Sequence, residues 1–281
     1  FFPTVAVILN VEADHLDFFK DLPDVERSFR AFADKVPENG LIVANCEDEN
    51  TMATLKGETR PVMTFGIEKG DVHAEGLSMD HGFGSFDVVY QGEKYAHLDL
   101  SVPGVHNVKN ALAAAAAAIA LKVPGRAVED GMRDFRLPGR RFEYKGMYNG
   151  AEVCDDYAHH PGELAALFDT AAALDFKRVL CAFQPHTYSR THELFDDFVE
   201  VLQRPAVTLL AEIFAAREDN DVGISSADLA AKVPGSVFCP TLEDVTAKLK
   251  RLAQPGDLIL TVGAGDIYLA GEALVKSAEP S

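Results

Sequence analysis

Within residues 155–161 the chain sets Asp155, Asp156, Tyr157, His159, His160 and Pro161 almost side by side. Two carboxylates, a phenol and two imidazoles at that density supply groups that move protons near neutral pH and hold cationic or hydroxyl partners. The apolar stretch before them, 150–154, reads as a short strand. Pro161 followed by Glu-Leu-Ala-Ala-Leu reads as a helix whose first turn accepts proline. The cluster therefore belongs at the carboxyl end of a strand, where open α/β sheets hold their ligands.

Three more polar clusters follow apolar runs in the second half. Residues 179–183 lead into Gln184, His186, Thr187 and Arg190, residues 206–210 into Glu212, Arg217 and Glu218, and residues 258–262 into Gly263, Gly265 and Asp266. A parallel sheet would bring all four to one edge. Taken singly each has a plain reading. A His-His pair is more often a turn feature than a site, His186 and Arg190 can merely cap a helix, and Gly263-Ala-Gly265 can be a tight turn. The third glycine of GxGxxG is absent, since position 268 is Tyr. Their recurrence at successive strand ends favours a cleft.

In the first half, Glu12, Asp14, His15 and Asp17 follow a buried-type strand and offer ligands suited to a hard cation such as magnesium. A solvated turn explains them equally well. Asn107 and Asn110 precede an alanine-rich helix, where one of them is expected to serve as N-cap. Arg140 and Arg141 lie near the expected domain junction. Paired arginines there either make surface salt bridges of little worth or clamp a phosphoryl group with their planar donor forks.

The elements that must position these residues read as follows. A strand is expected over 5–9, helical spacing over 25–36, a short strand over 41–44, hairpins over 71–100 and a helix over 107–121. Beyond Pro138 the texture becomes regular alternation. Strands are expected near 151–155, 179–184, 206–212, 236–239 and 257–262, with helices near 162–174, 191–203, 226–232, 242–253 and 267–277. Such alternation implies βαβ units, an α/β fold and a mostly parallel sheet. The expected domains are 1–138 and 139–281.

Bulk properties narrow the class. The 281 residues, 47% hydrophobic and 25% charged, are ordinary for a globular protein of about two domains. A formal net charge of -18 opposes a nucleic-acid surface. The apolar run 111–121 falls short of the ~20 residues a membrane span needs, so no membrane partner is expected. Cys46, Cys154, Cys181 and Cys239 lack metal-finger spacing and read as reduced thiols of a cytoplasmic protein. The chain opens on Phe1-Phe2-Pro3, which reads as a fragment of something longer.

In order, NVEADHLD (10–17), GVHNVKN (104–110), GRRFE (139–143), DDYAHHP (155–161), FQPHTYSRT (183–191) and GAGDI (263–267) resemble the motifs of the Mur ligases of peptidoglycan synthesis, over nearly the whole chain. The resemblance implies the latter part of a central ATPase domain followed by a Rossmann-like, amino-acid-binding domain. It implies ATP-dependent ligation through an acyl phosphate, with UDP-N-acetylmuramic acid and, from the residue 183–191 motif, L-alanine as substrates. By the same resemblance His15 ligates magnesium, and Asn107 and Asn110 contact adenine. Arg141 reaches the phosphates, Asp156 holds nucleotide, and Tyr157, His159, His160, His186 and Arg190 surround amino acid and acyl phosphate. Which histidine, if any, takes the proton stays open. Two departures stand out. No GxxxxGK[ST] phosphate loop occurs in these residues, so the fragment is expected to be inactive alone. Thr187 stands where many relatives have arginine, leaving carboxylate recognition to Arg190. Ligation of an intact tripeptide in cell-wall recycling, and a non-catalytic nucleotide-binding module, are the alternatives; oligomeric state is not fixed.

Overall fold

The computed structural model describes residues 2–14 and 18–278. The chain divides into two compact units, Phe1–Arg136 and Leu137–Ser281.

In the first unit β1 (Val5–Ile8), α1 (Leu22–Ala33), β2 (Leu41–Asn45), α2 (Glu49–Thr54) and β3 (Val62–Gly66) lead into a meander of β4 (Val72–Asp80), β5 (Phe83–Tyr90) and β6 (Glu93–Pro103). Then come α3 (Val105–Ala120) and α4 (Gly125–Asp134). The six strands form one sheet in sequence order, parallel from β1 to β4 and antiparallel from β4 to β6. α1 covers one face with Val25 and Ala33 on Ile8, Ile42 and Ala44. α3 covers the other with Ala111, Leu112, Ala115 and Ala116 on Phe65, Phe86 and Leu98. Alanine on that face lets the helix backbone lie close to the sheet, and the large partners supply the buried area, worth about 1.5–3 kcal/mol per side chain.

The second unit runs β7 (Glu143–Tyr148), β8 (Ala151–Asp156), α5 (Pro161–Ala172), β9 (Arg178–Phe183), α6 (Tyr188–Glu193), α7 (Phe195–Val201), β10 (Val207–Ala211), α8 (Ser226–Lys232), β11 (Val237–Cys239), α9 (Leu242–Leu252), β12 (Asp257–Val262) and α10 (Tyr268–Lys276). Its sheet has the order β11-β10-β9-β12-β8-β7, parallel except for β7 at one edge. Helices cover both faces. Leu164 and Phe168 of α5, Phe198 of α7 and Leu229 of α8 fill one core with Cys181, Phe183 and Leu260. Val245 and Leu249 of α9 and Leu274 of α10 fill the other with Leu180, Leu209 and Ile259. Burial on both faces is why these strands read as unbroken apolar runs.

Several expectations are corrected. The helix expected over 191–203 is two helices, broken at Leu194, whose backbone leaves the helical region. β3, β7, α2 and α4 were not foreseen. The N-cap of α3 is Gly104, so neither asparagine caps it. Among the described residues no helix is long and apolar enough to cross a membrane.

Candidate active site at the carboxyl edge of the second sheet

Parallel register aligns the ends of four strands. Asp156 pairs with Val262, Val262 with Phe183, and Phe183 with Leu210. Tyr157, Gly263 and Gln184 therefore begin three loops at one level, and β10 runs one residue further, to Ala211, before its loop begins at Glu212.

Arg140 ties this edge together. Its Nε donates to Asp155 Oδ2 at 2.8 Å, Nη1 to the Gly265 carbonyl at 2.9 Å and Nη2 to the Gly263 carbonyl at 2.6 Å. Its guanidinium carbon lies 5.0 Å from the Tyr157 ring centre and 4.7 Å from that of Tyr268. Asp155 is fully buried and also accepts from Thr261 Oγ1 at 2.7 Å. Burial raises its pKa, against the pull of Arg140 and Thr261. Asp156 is a second bracket: Oδ1 accepts from the Ala158 amide and Oδ2 from the Phe142 amide, each at 2.8 Å. Burial raises its pKa too, opposed by those amides and the charge of Arg141. Arg141, the arginine singled out from sequence, is exposed. Arg140, not singled out for a role, is the one built into the sheet edge.

The two histidines of residues 155–161 differ in what they have left to offer. His160 is the N-cap of α5: its Nδ1 accepts from the Gly162 amide at 3.2 Å, and Glu163 completes the capping box. That lone pair is committed. His159 Nδ1 sits 2.9 Å from the Tyr157 carbonyl, which can only accept, so this nitrogen carries the proton and the Nε2 lone pair is left available. Its ring contacts those of Tyr157 and His186, centroids 5.5 and 6.0 Å away.

His186 stacks on Phe214 with centroids 5.8 Å apart and planes 11° from parallel. Arg190 Nη1 donates to the His186 carbonyl at 2.9 Å and lies 3.4 Å from His186 Nδ1. Burial first, then the charge of Arg190, and His159 whenever it is protonated, lower the His186 pKa, which favours its neutral imidazole. Thr187 is buried and turned inward, its hydroxyl 3.1 Å from that of Ser189. Glu218 accepts from Ser189 Oγ at 2.6 Å and from the Ser189 amide at 3.0 Å. Burial works to raise the Glu218 pKa, but the Ser189 hydroxyl and amide, the Thr187 hydroxyl and the Tyr188 amide hold it below its ordinary value.

The Gly263-Ala-Gly265 turn has a steric reason. A Cβ on Gly263, at φ +143°, would lie 2.5 Å from the Gln184 carbonyl, and one on Gly265 only 2.7 Å from the Phe214 ring. Gln184 uses the space, donating to Asp266 Oδ1 at 2.9 Å and accepting from the Ile267 amide at 3.1 Å.

In the first unit Asn107 lies in the first turn of α3, where its Nδ2 donates to the Pro103 carbonyl at 2.7 Å and its Oδ1 accepts from Asn110 at 3.3 Å. His15 and Asp17 lie outside the described residues. Glu12 accepts from the Asn10 amide group at 2.8 Å. Among the described residues no group of three or more His, Cys, Asp or Glu side chains is placed to hold a metal ion.

A parallel sheet covered on both faces, with histidines and arginines gathered at its strand ends, is the architecture in which open α/β sheets hold their ligands. Sequence profiles sharpen this: the Mur ligase middle domain matches residues 1–118 and the Mur ligase glutamate ligase domain residues 140–265. The chain belongs to the Mur ligase family. It is 43% identical over 281 residues to the UDP-N-acetylmuramate–L-alanine ligase of Clostridium novyi (strain NT), which takes in 99% of this chain and 61% of that protein. The crystal structure of the UDP-N-acetylmuramate–alanine ligase MurC from Thermotoga maritima matches with TM-score 0.76 at 27% identity, covering 99% of this chain and 60% of that one. A murein peptide ligase from Psychrobacter arcticus shares the fold, with TM-score 0.69 at 24% identity over 99% of this chain and 58% of that one. The chain thus spans about three fifths of the relatives it matches.

Proposed function

We propose that this chain supplies the adenine-contacting and amino-acid-binding parts of an enzyme that joins L-alanine to the lactyl carboxylate of UDP-N-acetylmuramic acid at the expense of ATP, in peptidoglycan precursor synthesis. A carboxylate oxygen takes the γ-phosphoryl group of ATP, and ADP leaves with the electron pair of the broken P–O bond. The amine of alanine then attacks the acyl phosphate carbon, the new C–N bond forms, phosphate leaves with the C–O electron pair, and the ammonium gives up its proton.

The observation that carries this reading is the convergence of His159, His186 and Arg190 at the strand edge, in a chain 43% identical to the Clostridium novyi enzyme. His159 is the group we assign to the proton, because its Nε2 lone pair remains available while the Nδ1 of His160 is committed to its helix. Arg190, with neutral His186 beside it, supplies positive charge for the alanine carboxylate and the acyl phosphate. Thr187 is turned toward Ser189, consistent with Arg190 acting there without a second arginine. In the first unit Asn107 and Asn110 form the adenine contact, and Arg141, free of the sheet edge, reaches the phosphates. Asp156 acts on nucleotide indirectly, by fixing the 140–142 turn through the Phe142 amide. Magnesium enters as the counter-ion of ATP.

The fold is shared with a murein peptide ligase and does not by itself choose the acceptor. The test is phosphate release by the full-length protein with ATP, UDP-N-acetylmuramic acid and either L-alanine or the L-Ala-γ-D-Glu-meso-diaminopimelate tripeptide. Release with alanine, falling about 10²-fold or more in His159→Asn, is expected. Release with the tripeptide alone would move the protein to recycling. The isolated 281 residues, without a phosphate loop, are expected to be silent.

A further inference from the structure

α6 starts without a cap of its own. Its N-cap residue, Thr187, makes no side-chain bond to the helix amides, and uncapped amides at a helix start need an acceptor from elsewhere. Glu218, on the loop after β10, meets that need across 29 residues of sequence. Its two oxygens take the Ser189 amide and hydroxyl, and the Thr187 hydroxyl and Tyr188 amide also bear on it.

What α6 carries gives this contact meaning. Arg190 lies one residue beyond Ser189 and projects back onto His186. The loop after β10 also holds His186 directly, through the Phe214 ring and the Phe214 amide, which donates to the Pro185 carbonyl at 2.9 Å. The segment from His186 to Arg190 is therefore pinned at both ends by one loop, by Phe214 at its start and by Glu218 at its helical end. A carboxylate suits the second post. It accepts from several donors at once, and its hydrogen bonds to amide and hydroxyl are the stronger, charge-assisted kind.

Building on the proposed function, we propose that Glu218 is a positioning residue for amino-acid binding: it caps α6 in trans and so fixes Arg190 and His186 against His159, without touching substrate. Truncating it frees the start of α6, lets Arg190 swing, and weakens recognition of the amino-acid carboxylate while the nucleotide and UDP-sugar sites are untouched.

The test uses the full-length protein with Glu218→Ala, Ser189→Ala and the double variant, and Glu218→Gln as the conservative change. Expected are a rise of about tenfold or more in the alanine KM for Glu218→Ala, with the KM values for ATP and UDP-sugar within about twofold, and partial rescue by Glu218→Gln. Ser189→Ala should shift the alanine KM in the same direction by less. The double variant should be no worse than Glu218→Ala, the sign that the two residues act through one contact. Hydrogen exchange at the Tyr188 and Ser189 amides should speed up in Glu218→Ala while the strand amides of β9 stay protected. An unchanged alanine KM, equal losses for all three substrates, or additive effects would overturn the proposal. Should the wild-type protein not use alanine at all, the functional reading fails separately, and unchanged exchange at Tyr188 and Ser189 would then dispose of the cap itself.

Discussion

Replacing Arg140 with methionine, of similar length but without charge or donors, should destabilise the second unit in a way that depends on pH. In the native edge Asp155 is completely buried while the Arg140 side chain is 23% exposed, so the pair is poorly screened. Removing one partner of such a pair costs about 3–5 kcal/mol, since it strands the other charge. Asp155 has an escape, which is to take a proton. That costs about 1.4 kcal/mol for each pH unit above its ordinary value near 4, so about 4 kcal/mol at pH 7 and almost nothing at pH 4. The electrostatic part of the loss is thus at most about 4 kcal/mol at pH 7, less what the wild type already gives up through its own raised Asp155, and it fades on acidification. A remainder of about 1–2 kcal/mol from the lost bonds to the Gly263 and Gly265 carbonyls persists at every pH. The linkage has a definite sign. The Asp155 pKa is already raised in the native unit, so its contribution is most favourable below about pH 4 and declines as pH rises through the folded value. Without Arg140 the folded value moves higher, and the decline runs on toward neutrality. The chain contains no tryptophan, so urea unfolding followed by far-UV circular dichroism at pH 7 and pH 4.5 is the suitable assay. A deficit equal at both pH values, or one below about 1 kcal/mol at pH 7, would refute the reasoning.

Three further outcomes are expected. Gly265→Ala forces a Cβ to 2.3 Å from Gln184 Oε1 and 2.7 Å from the Phe214 ring. It should cost about 1–3 kcal/mol, read as a lowered Tm, and an unshifted melt would count against the close packing described. His160→Ala should cost about 1 kcal/mol by uncapping α5, with Asn at the same position restoring most of it; an Asn variant no better than Ala would show that the cap is idle. The Cys154 thiol, pushed up to about 12 by burial and nearby carboxylates, should resist iodoacetamide at pH 8 until the unit is unfolded, and native alkylation there would contradict its environment.

Legibility in the sequence followed burial. The strands β8, β9, β10 and β12 lie within a residue of their expected places, because parallel strands covered on both faces must be continuous runs of apolar residues. β7 escaped notice because it is an edge strand with Tyr144 and Met147 exposed and a register shift between Tyr144 and Gly146 that breaks its alternation. α4 carries glycines at 125 and 131, poor helix formers that tertiary packing overrides. In the site, the residue 155–161 cluster was visible as composition, yet the division of labour between His159 and His160 depends on which carbonyl and amide each nitrogen meets, which spacing does not encode. Arg140 had a readable signal. A carboxylate such as Asp155 at the end of an apolar strand demands a cation, and two arginines stand just ahead of that strand; only the pairing of β7 with β8 shows which of them turns inward.

The position of β12 in its sheet reaches into biosynthesis. Among the described residues it is the last strand of the unit in sequence, yet it lies between β9 and β8 and joins the β11-β10-β9 half to the β8-β7 half. Arg140, near the start of the unit, reaches its carbonyl partners in the loop after β12 across 123 and 125 residues. On the ribosome, where the chain emerges from its amino end, the two halves have no strand to connect them until residues 257–262 are out. The histidine and arginine edge is then among the last features to form, and a chain ending before Asp257 would leave β8 and β9 as two raw sheet edges open to pairing with other molecules.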